Sequence, residues 1–354
     1  MSKGKVLVGL SGGVDSSVAA LLLKEQGYEV HALFMKNWDD DGSPYCSAKE
    51  DFMDAVFVSD QLKIPLEQIS FSKEYKESVF SYFLSELETG NTPNPDILCN
   101  KEIKFKEFYN YAMSNNYDFI ATGHYAITDN QSLYKGIDNS KDQSYFLHAI
   151  DREVLQKTIF PLGELKKENV RQIAKENSLI TSNKKDSTGI CFIGERPFPE
   201  FVGSYLSGQE GNIINENDDV IGIHQGLVFY TLGQRQGLGI GGVQGLPDLP
   251  WYVAKKNLKT NELLCVQGND HPLLFSTELS TKNLFKLDDS LPISFEGTAK
   301  VRYRQEDQKC EINVEDNTLN IKFHKPQRSV TPGQSVVIYK NDKCLGGGEI
   351  CTIN

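Results

Sequence analysis

Gly9-Leu10-Ser11-Gly12-Gly13-Val14-Asp15-Ser16 places two adjacent glycines and two hydroxyls in one short stretch. Glycines let a backbone approach an anion without a Cβ clash, and converging N–H groups can cradle it. That is phosphate-binding chemistry. A second kind of chemistry sits in two cysteines. Cys99 lies in Asn94-Pro95-Asp96-Ile97-Leu98-Cys99-Asn100-Lys101, and Cys191 lies in Asp186-Ser187-Thr188-Gly189-Ile190-Cys191-Phe192, just after Lys184 and Lys185. A thiol near a lysine and a helix N-terminus gains thiolate character and becomes a nucleophile. Local sequence does not choose between a reactive and a buried structural role for either cysteine. Asp96 could move protons for such a nucleophile, or could simply hold the turn after Pro95.

These residues need elements to hold them. Lys5-Val6-Leu7-Val8 reads as a buried strand, and Val14 to Lys24 reads as a helix stopped by Gly27. The glycine turn therefore sits between a strand and a helix N-terminus, where the helix dipole favours an anion. No Gly-Lys-Ser/Thr follows, so it is not a Walker A loop, and it is not G-x-G-x-x-G. Glu29 to Met35 predicts a second strand, and Asp118 to Gly123 another. Ser47 to Leu62, Tyr75 to Leu87, Lys101 to Met113 and Leu165 to Asn177 predict helices. The alternation predicts an α/β doubly wound parallel sheet, with Met35 and Gly123 at the carboxyl ends of its strands, where ligands bind.

From about Gly208 the sequence becomes glycine-rich, with Gly233-Gln234-Arg235-Gln236-Gly237-Leu238-Gly239-Ile240-Gly241-Gly242 as its centre. From about Ser276 short β segments follow, among them Gly297 to Tyr303, Leu319 to Phe323 and Ser335 to Tyr339. They predict a small C-terminal β-barrel. The expected division is a catalytic domain over 1–205, a small glycine-rich central domain over 206–275 and the barrel over 276–354.

Composition narrows the class. The 354 residues are ample for several cores, and the net charge of −11 argues against a protein that coats nucleic acid. Local basic patches remain, such as Lys101, Lys104 and Lys106, or Arg302 and Arg304. The 7 cysteines are odd in number and include no C-x-x-C pair, so neither a disulfide framework nor a cysteine-bound metal has a visible scaffold. No secretory h-region or run of about 18 apolar residues occurs, so a cytoplasmic protein without membrane contact is expected.

The Ser-Gly-Gly-x-Asp-Ser turn resembles the pyrophosphate loop of the ATP pyrophosphatase (PP-loop) superfamily. The resemblance widens with Asn94-Pro95-Asp96 and Cys99, Gly123-His124-Tyr125, Lys141-Asp142-Gln143-Ser144-Tyr145-Phe146, the Cys191 motif, Tyr230-Thr231-x-Gly233-Gln234-Arg235-x-Gly237-Leu238, Trp251-Tyr252-Val253 and Arg302-Tyr303-Arg304. In this order they resemble the bacterial tRNA-specific 2-thiouridylases over essentially the whole chain.

That resemblance implies a sulfurtransferase. Its substrate is the wobble uridine in the tRNA anticodon loop, with the lysine, glutamate and glutamine acceptors expected. ATP, with magnesium screening its phosphates, would adenylate the 2-position oxygen. Residues 9–16 (Gly9, Leu10, Ser11, Gly12, Gly13, Val14, Asp15 and Ser16), Met35 and Gly123 would hold the nucleotide, with no metal fixed by protein residues. Cys191 would carry a persulfide and end in a disulfide with Cys99, and Asp96 would act as acid or base. Asn94, Pro95 and Asp96 would touch the target base. His124, Lys141, Asp142, Gln143, Arg302, Tyr303 and Gln334 would contact tRNA. The sulfur donor would be a cysteine desulfurase or a relay protein. Two other readings use the same loop: a PP-loop ligase with a nitrogen nucleophile, or a non-catalytic ATP-responsive RNA-binding module. The ligase reading needs neither Cys99 nor Cys191.

Overall fold

A computed structural model describes residues 2–39, 48–186, 196–242 and 249–354. Its first seven strands are β1 (Lys5–Gly9), β2 (Glu29–Lys36), β3 (Leu66–Ser70), β4 (Phe119–Ala121), β5 (Ala126–Thr128), β6 (Leu133–Lys135) and β7 (Thr158–Ile159). Five of them form a parallel sheet in the order β3-β2-β1-β4-β7. Alternate residues of one strand enter different cores, as period 2 requires. Val6 and Val8 pack with α1 (Val14–Glu25), α2 (Ala48–Leu62) and the helix Lys167–Glu176. Leu7 points the other way, into a core with Tyr75, Val79, Phe83, Ile103 and Phe108 from the helical runs 72–88 and 95–114. Covered faces on both sides explain why central β1 is apolar from Val6 to Val8. The sheet is doubly wound as expected, and its order reverses at β1, opening a crevice beyond the carboxyl ends of β1 and β4.

Each helical run on the second face has a wide π-helical section, Lys76–Phe80 in one and Cys99–Glu107 in the other. Such sections are costly and cluster at functional sites. The second begins at Cys99.

The central part holds β8 (Gly211–Ile214), β9 (Val220–His224), β10 (Trp251–Asn257) and β11 (Glu262–Gln267), paired in the order β10-β11-β8-β9. Ile213, Tyr230, Val253, Leu263 and Cys265 fill its core. The barrel comprises β12 (Phe275–Lys286), β13 (Ser294–Lys300), β14 (Gln308–Glu315), β15 (Thr318–Arg328), β16 (Ser335–Lys340) and β17 (Lys343–Ile353). They run in the order β12-β15-β14-β13-β16-β17, and β17 pairs back onto β12 to close the ring. Closure removes the exposed edges of an open sheet. The expected segment Gly297 to Tyr303 ends early, at Lys300. The Gln305 side chain accepts the Val301 amide at 2.7 Å and draws the chain into a turn, so Arg302 and Tyr303 stand on that turn.

The β5–β6 hairpin belongs by sequence to the first domain but pairs with β17, extending the barrel sheet. Charged groups are buried at this junction. Asp142, 4% exposed, accepts from the amides of Gly136 and Ser144 at 3.2 and 3.1 Å and lies 3.7 Å from the Lys300 ammonium. Lys135 pairs with Asp307. No described helix is long and apolar enough to cross a membrane.

Removing the Asp142 carboxylate leaves two buried amides without acceptors and one buried cation underneutralised. Asp142→Ala should therefore lower stability by about 3 kcal/mol in urea unfolding of the full chain, and a loss below about 1 kcal/mol would show that the junction does not rely on it.

Candidate active site

β1 ends at Gly9 and α1 begins at Val14, so residues 10–13 turn the chain at the crevice. Gly12 has φ +73, and a Cβ there would lie 2.1 Å from the Asp51 carbonyl oxygen. Only glycine fits. Gly13 is extended, at the N-cap of α1, and no side chain caps the helix. The first-turn amides are thus left for a ligand, the arrangement that suits a phosphate. Ser16 braces the turn. Its hydroxyl accepts from the Ser11 amide and donates to the Gly13 carbonyl, each at 3.1 Å, while the Ser17 hydroxyl donates to the same carbonyl at 2.7 Å. Leu10 and Val14 are core residues, so their side chains pack inward and only their backbone faces the crevice. Met35 and Gly123 lie beside the turn. A Cβ on Gly9 would be 3.1 Å from the Met35 methyl, and one on Gly123 would be 2.8 Å from the Ser16 nitrogen.

Asp15 stands in the first turn of α1 and anchors a charge network. Tyr125 donates to its Oδ1 at 2.7 Å, and the Lys167 ammonium lies 2.7 and 2.8 Å from its two oxygens. Lys167 also lies 2.8 Å from Asp186, which further binds Lys141 and Arg171 at 2.7 Å each. Burial opposes the Asp186 charge, but hydrogen bonds from Lys141 and Lys167 outweigh it and hold its carboxyl down at about 2. Burial, then Asp15, pushes the Tyr125 phenol up, so it remains a protonated donor. Sequence reasoning quoted Tyr125 within a motif without giving it a role, and missed Lys167 and Arg171. One signal was present: Lys167 stands in the first turn of its helix, where the dipole disfavours a cation. Such a residue needs an anionic partner from elsewhere.

The Asn94 side chain caps the helix Pro95–Leu98, accepting from the amides of Asp96 and Ile97 at 3.2 and 3.4 Å. Pro95 fits the first helical position. Cys99 follows directly, 1% exposed, one turn inside the helix rather than at its free N-terminal amides. Burial pushes the Asp96 carboxyl up, and Lys104 opposes that shift. His124, 8% exposed, shares a 2.7 Å hydrogen bond with Thr122 and lies against Phe105 and Phe160. Burial, then Lys104, lowers its pKa well below the usual value, so the ring is neutral at pH 7. Among the described residues Lys104 forms no ion pair, whereas Lys101 and Lys106 both bind Glu102, at 3.1 and 2.7 Å. Cys191 and the rest of its motif after Asp186 lie outside the described residues, as does Cys46.

The expected tRNA-facing residues cluster at the junction with the barrel. Gln143 is locked to the Tyr125 backbone, accepting at 3.0 Å and donating at 2.8 Å. The Tyr303 hydroxyl donates to the Lys141 carbonyl at 3.3 Å, and its ring lies 4.4 Å from that of Phe146. Arg302 donates to the Ser329 carbonyl at 3.0 Å, and Gln334 to the Thr92 carbonyl at 2.7 Å. Asp142 is spent wholly inside, as described above.

The network makes a pH-dependent contribution. A carboxyl lowered from 3.8 to about 2 stabilises the fold above 3.8, and that stability is lost as pH falls toward 2. Urea midpoints of the native protein and Asp186→Asn should therefore differ at neutral pH and converge as pH falls through this window. A gap independent of pH would remove Asp186 from the network.

Comparison with known proteins adds lineage. The family model described as the tRNA methyl transferase HUP domain matches residues 4–195. The tRNA methyl transferase PRC-barrel domain matches 199–267, and the Aminomethyltransferase beta-barrel domain matches 276–350. The tRNA-specific 2-thiouridylase MnmA of Francisella tularensis subsp. holarctica is 55% identical over 358 residues, covering 99% of this chain and 100% of that protein. Its namesake from Francisella tularensis subsp. novicida is equally similar, at 55%. Among solved structures, the U34-tRNA thiolase NcsA from Methanococcus maripaludis is 20% identical with a TM-score of 0.38, covering 54% of this chain and 62% of that one. Identity of 55% along the full length, together with the matched domain models, shows that this chain belongs to the tRNA-specific 2-thiouridylase family.

Proposed function

We propose that this protein is a tRNA 2-thiouridylase, using ATP to replace the 2-position oxygen of the wobble uridine with sulfur. One observation supports this reading above the rest. Adjacent residues join the phosphate turn to the Asp96–Cys99 helix: Gly123 abuts Ser16, and His124 packs against Phe105 of that helical run. A nucleotide held by residues 9–16, Met35 and Gly123 would therefore lie next to a base held by Asn94, Pro95 and Asp96.

The chemistry follows from the leaving group. A carbonyl oxygen leaves poorly, whereas the same oxygen as part of AMP leaves well. Residues 9–16 hold the triphosphate against the α1 dipole, and Lys167 stands beside Asp15 where phosphate charge would gather. Magnesium, bound to the nucleotide, would screen that charge; no residue here is assigned to it. The 2-oxygen attacks the α-phosphate and pyrophosphate leaves. A Cys191 persulfide then attacks carbon 2 with its terminal sulfur, and AMP departs with the oxygen. The Cys99 thiolate attacks the Cys191 sulfur next. The new Cys99–Cys191 bond forms as the old sulfur–sulfur bond breaks, leaving 2-thiouridine. In a second order of events Cys99 first frees hydrogen sulfide, which attacks the base. Either way a thiol reductant resets the disulfide. Asp96, its carboxyl raised by burial, is suited to hold and pass a proton at the base.

The base must leave its stack to reach this pocket, which is cheapest in a single-stranded loop. Lys141, Gln143, Arg302, Tyr303 and Gln334 would bind the surrounding tRNA. Asp142 would hold that surface from within, and His124 would back the pocket wall. The expected tRNA acceptors are those for lysine, glutamate and glutamine. The sulfur donor would be a desulfurase or a relay protein.

The direct test is mass spectrometry of nucleosides from tRNA incubated with the protein, ATP, magnesium and a sulfide source. 2-Thiouridine should appear at the wobble position only when ATP is present, and its absence would reject the assignment. Asp15→Ala should abolish pyrophosphate release while tRNA still binds.

A further prediction separates the cysteines. Cys191→Ser should keep adenylation but lose the persulfide and thiolation. Cys99→Ser should accept the persulfide and fail to release sulfur. Without reductant, one turnover should leave one disulfide, between these two residues. Full activity of Cys99→Ser would reject the two-cysteine route.

A further inference from the structure

Three parts of the chain meet on Thr92, in the short stretch between the helical run 72–88 and the helix Pro95–Leu98. Its amide donates to the Pro332 carbonyl at 2.9 Å, and its carbonyl accepts from the Gln334 side chain at 2.7 Å. Its hydroxyl lies 3.3 Å from that of Thr231. Pro332 and Gln334 sit between β15 and β16 of the barrel, and Thr231 sits in the central part, before β10. Every polar group of Thr92 is thus bonded outside its own domain. The approach is close, since a Cβ on Gly333 would lie 2.8 Å from the Thr92 nitrogen. Lys256 of β10 adds a hydrogen bond to the Gly90 carbonyl at 3.0 Å.

The central grip is rigid. The Thr231 amide donates to the Gln234 side chain at 2.9 Å, and the Gly233 amide donates to the Val253 carbonyl at 2.7 Å. Gly233 has φ +79, and a Cβ there would lie 2.2 Å from the Ser329 hydroxyl of the barrel. The glycine-rich turn is therefore wedged between β10 and the barrel, with Thr231 projecting onto Thr92. Neither residue has a role in the chemistry described above.

Two residues beyond Thr92, Asn94 caps the helix that presents Asp96 and leads into Cys99. The connection is short, and Pro95 removes a backbone freedom from it. A displacement of Thr92 therefore reaches Asp96 with little loss, and a misplacement of about 1 Å can cost a hundredfold in rate.

We infer that Thr92 is a positioning residue for thiolation, through which the central domain and the barrel together set the Asp96–Cys99 helix against the substrate. This rests on the reading of Asp96 and Cys99 given above. It assigns the Thr231–Gln234 turn a purpose: it holds the catalytic helix in register only when all three parts are docked.

Thr92→Val deletes the hydroxyl and keeps both backbone bonds. In the full chain, kcat for 2-thiouridine formation should fall about tenfold, with KM for tRNA within about twofold and the melting temperature nearly unchanged. Thr92→Ser should restore kcat. Thr231→Val should match Thr92→Val, and the double variant should lose no more than either single one. Unchanged kcat, a change in KM alone, or additive losses would each overturn the inference. Hydrogen exchange supplies a readout independent of activity. The amides of Asn94 and of residues 96–99 should exchange several-fold faster in Thr92→Val than in the native chain. Equal exchange rates overturn the positioning role even if the native chain proves to make no 2-thiouridine, an outcome that would itself overturn only the assigned reaction.

Discussion

Beyond the carboxyl end of β1, two backbone approaches leave no room for a Cβ, and the architecture around the site follows from that shortage. Gly12 meets the Asp51 backbone and Gly123 meets Ser16, at separations no Cβ could share. Packing backbone against backbone in this way brings α1, α2 and the end of β4 to one point. The sheet reverses its order there, so the helix N-terminus opens onto a crevice instead of another strand. Such a turn suits a phosphate through geometry and dipoles, with little need for charged side chains aimed at the ligand.

Charge enters one layer out, and its arrangement is economical. Lys167 serves two carboxylates, Asp15 in the phosphate turn and Asp186 at the approach to the Cys191 motif. Buried or half-buried pairs of this kind contribute little net stability, because desolvation offsets the attraction. Their use is specificity. Lys167 can satisfy both partners only when α1 and the 184–186 segment keep one mutual arrangement, so the glycine turn before α1 and the 184–186 segment are registered against each other. Lys141 and Arg171 fix the same carboxylate from other directions, which restricts the segment further.

What the sequence made legible divides along physical lines. The strand–turn–helix of residues 5–25 could be read because its signals are local: an apolar run, two glycines and a helix-forming continuation stopped by Gly27. The doubly wound sheet and the closed barrel followed from alternation and short β periodicity. Met35 and Gly123 were placed by their strand-end positions. The network of Tyr125, Lys167 and Arg171 was not legible, since its partners lie far apart in the chain and no periodicity encodes an ion pair. The end of β13 was misread for a related reason. Arg302 and Tyr303 continue an apolar-flanked β pattern, and only the Gln305 side chain, from the far side of the turn, takes the Val301 amide out of the ladder. The inward placement of Asp142 was equally hidden, because an acidic residue between Lys141 and Gln143 reads as surface until the barrel covers it.

The docking of the domains explains why so much polar surface is buried. Apolar interfaces hold partners strongly but tolerate sliding, because the hydrophobic effect has no direction. Hydrogen bonds and ion pairs do have direction, and they penalise a shifted register by leaving groups unpaired. Here the β5–β6 hairpin joins the barrel by ladder pairing, Lys300 reaches Asp142, and the barrel and the central domain each bind the peptide stretch before the Asp96 helix. Each contact specifies position more than it adds affinity. That is the property required of a scaffold that must hold a long RNA in one register across its domains.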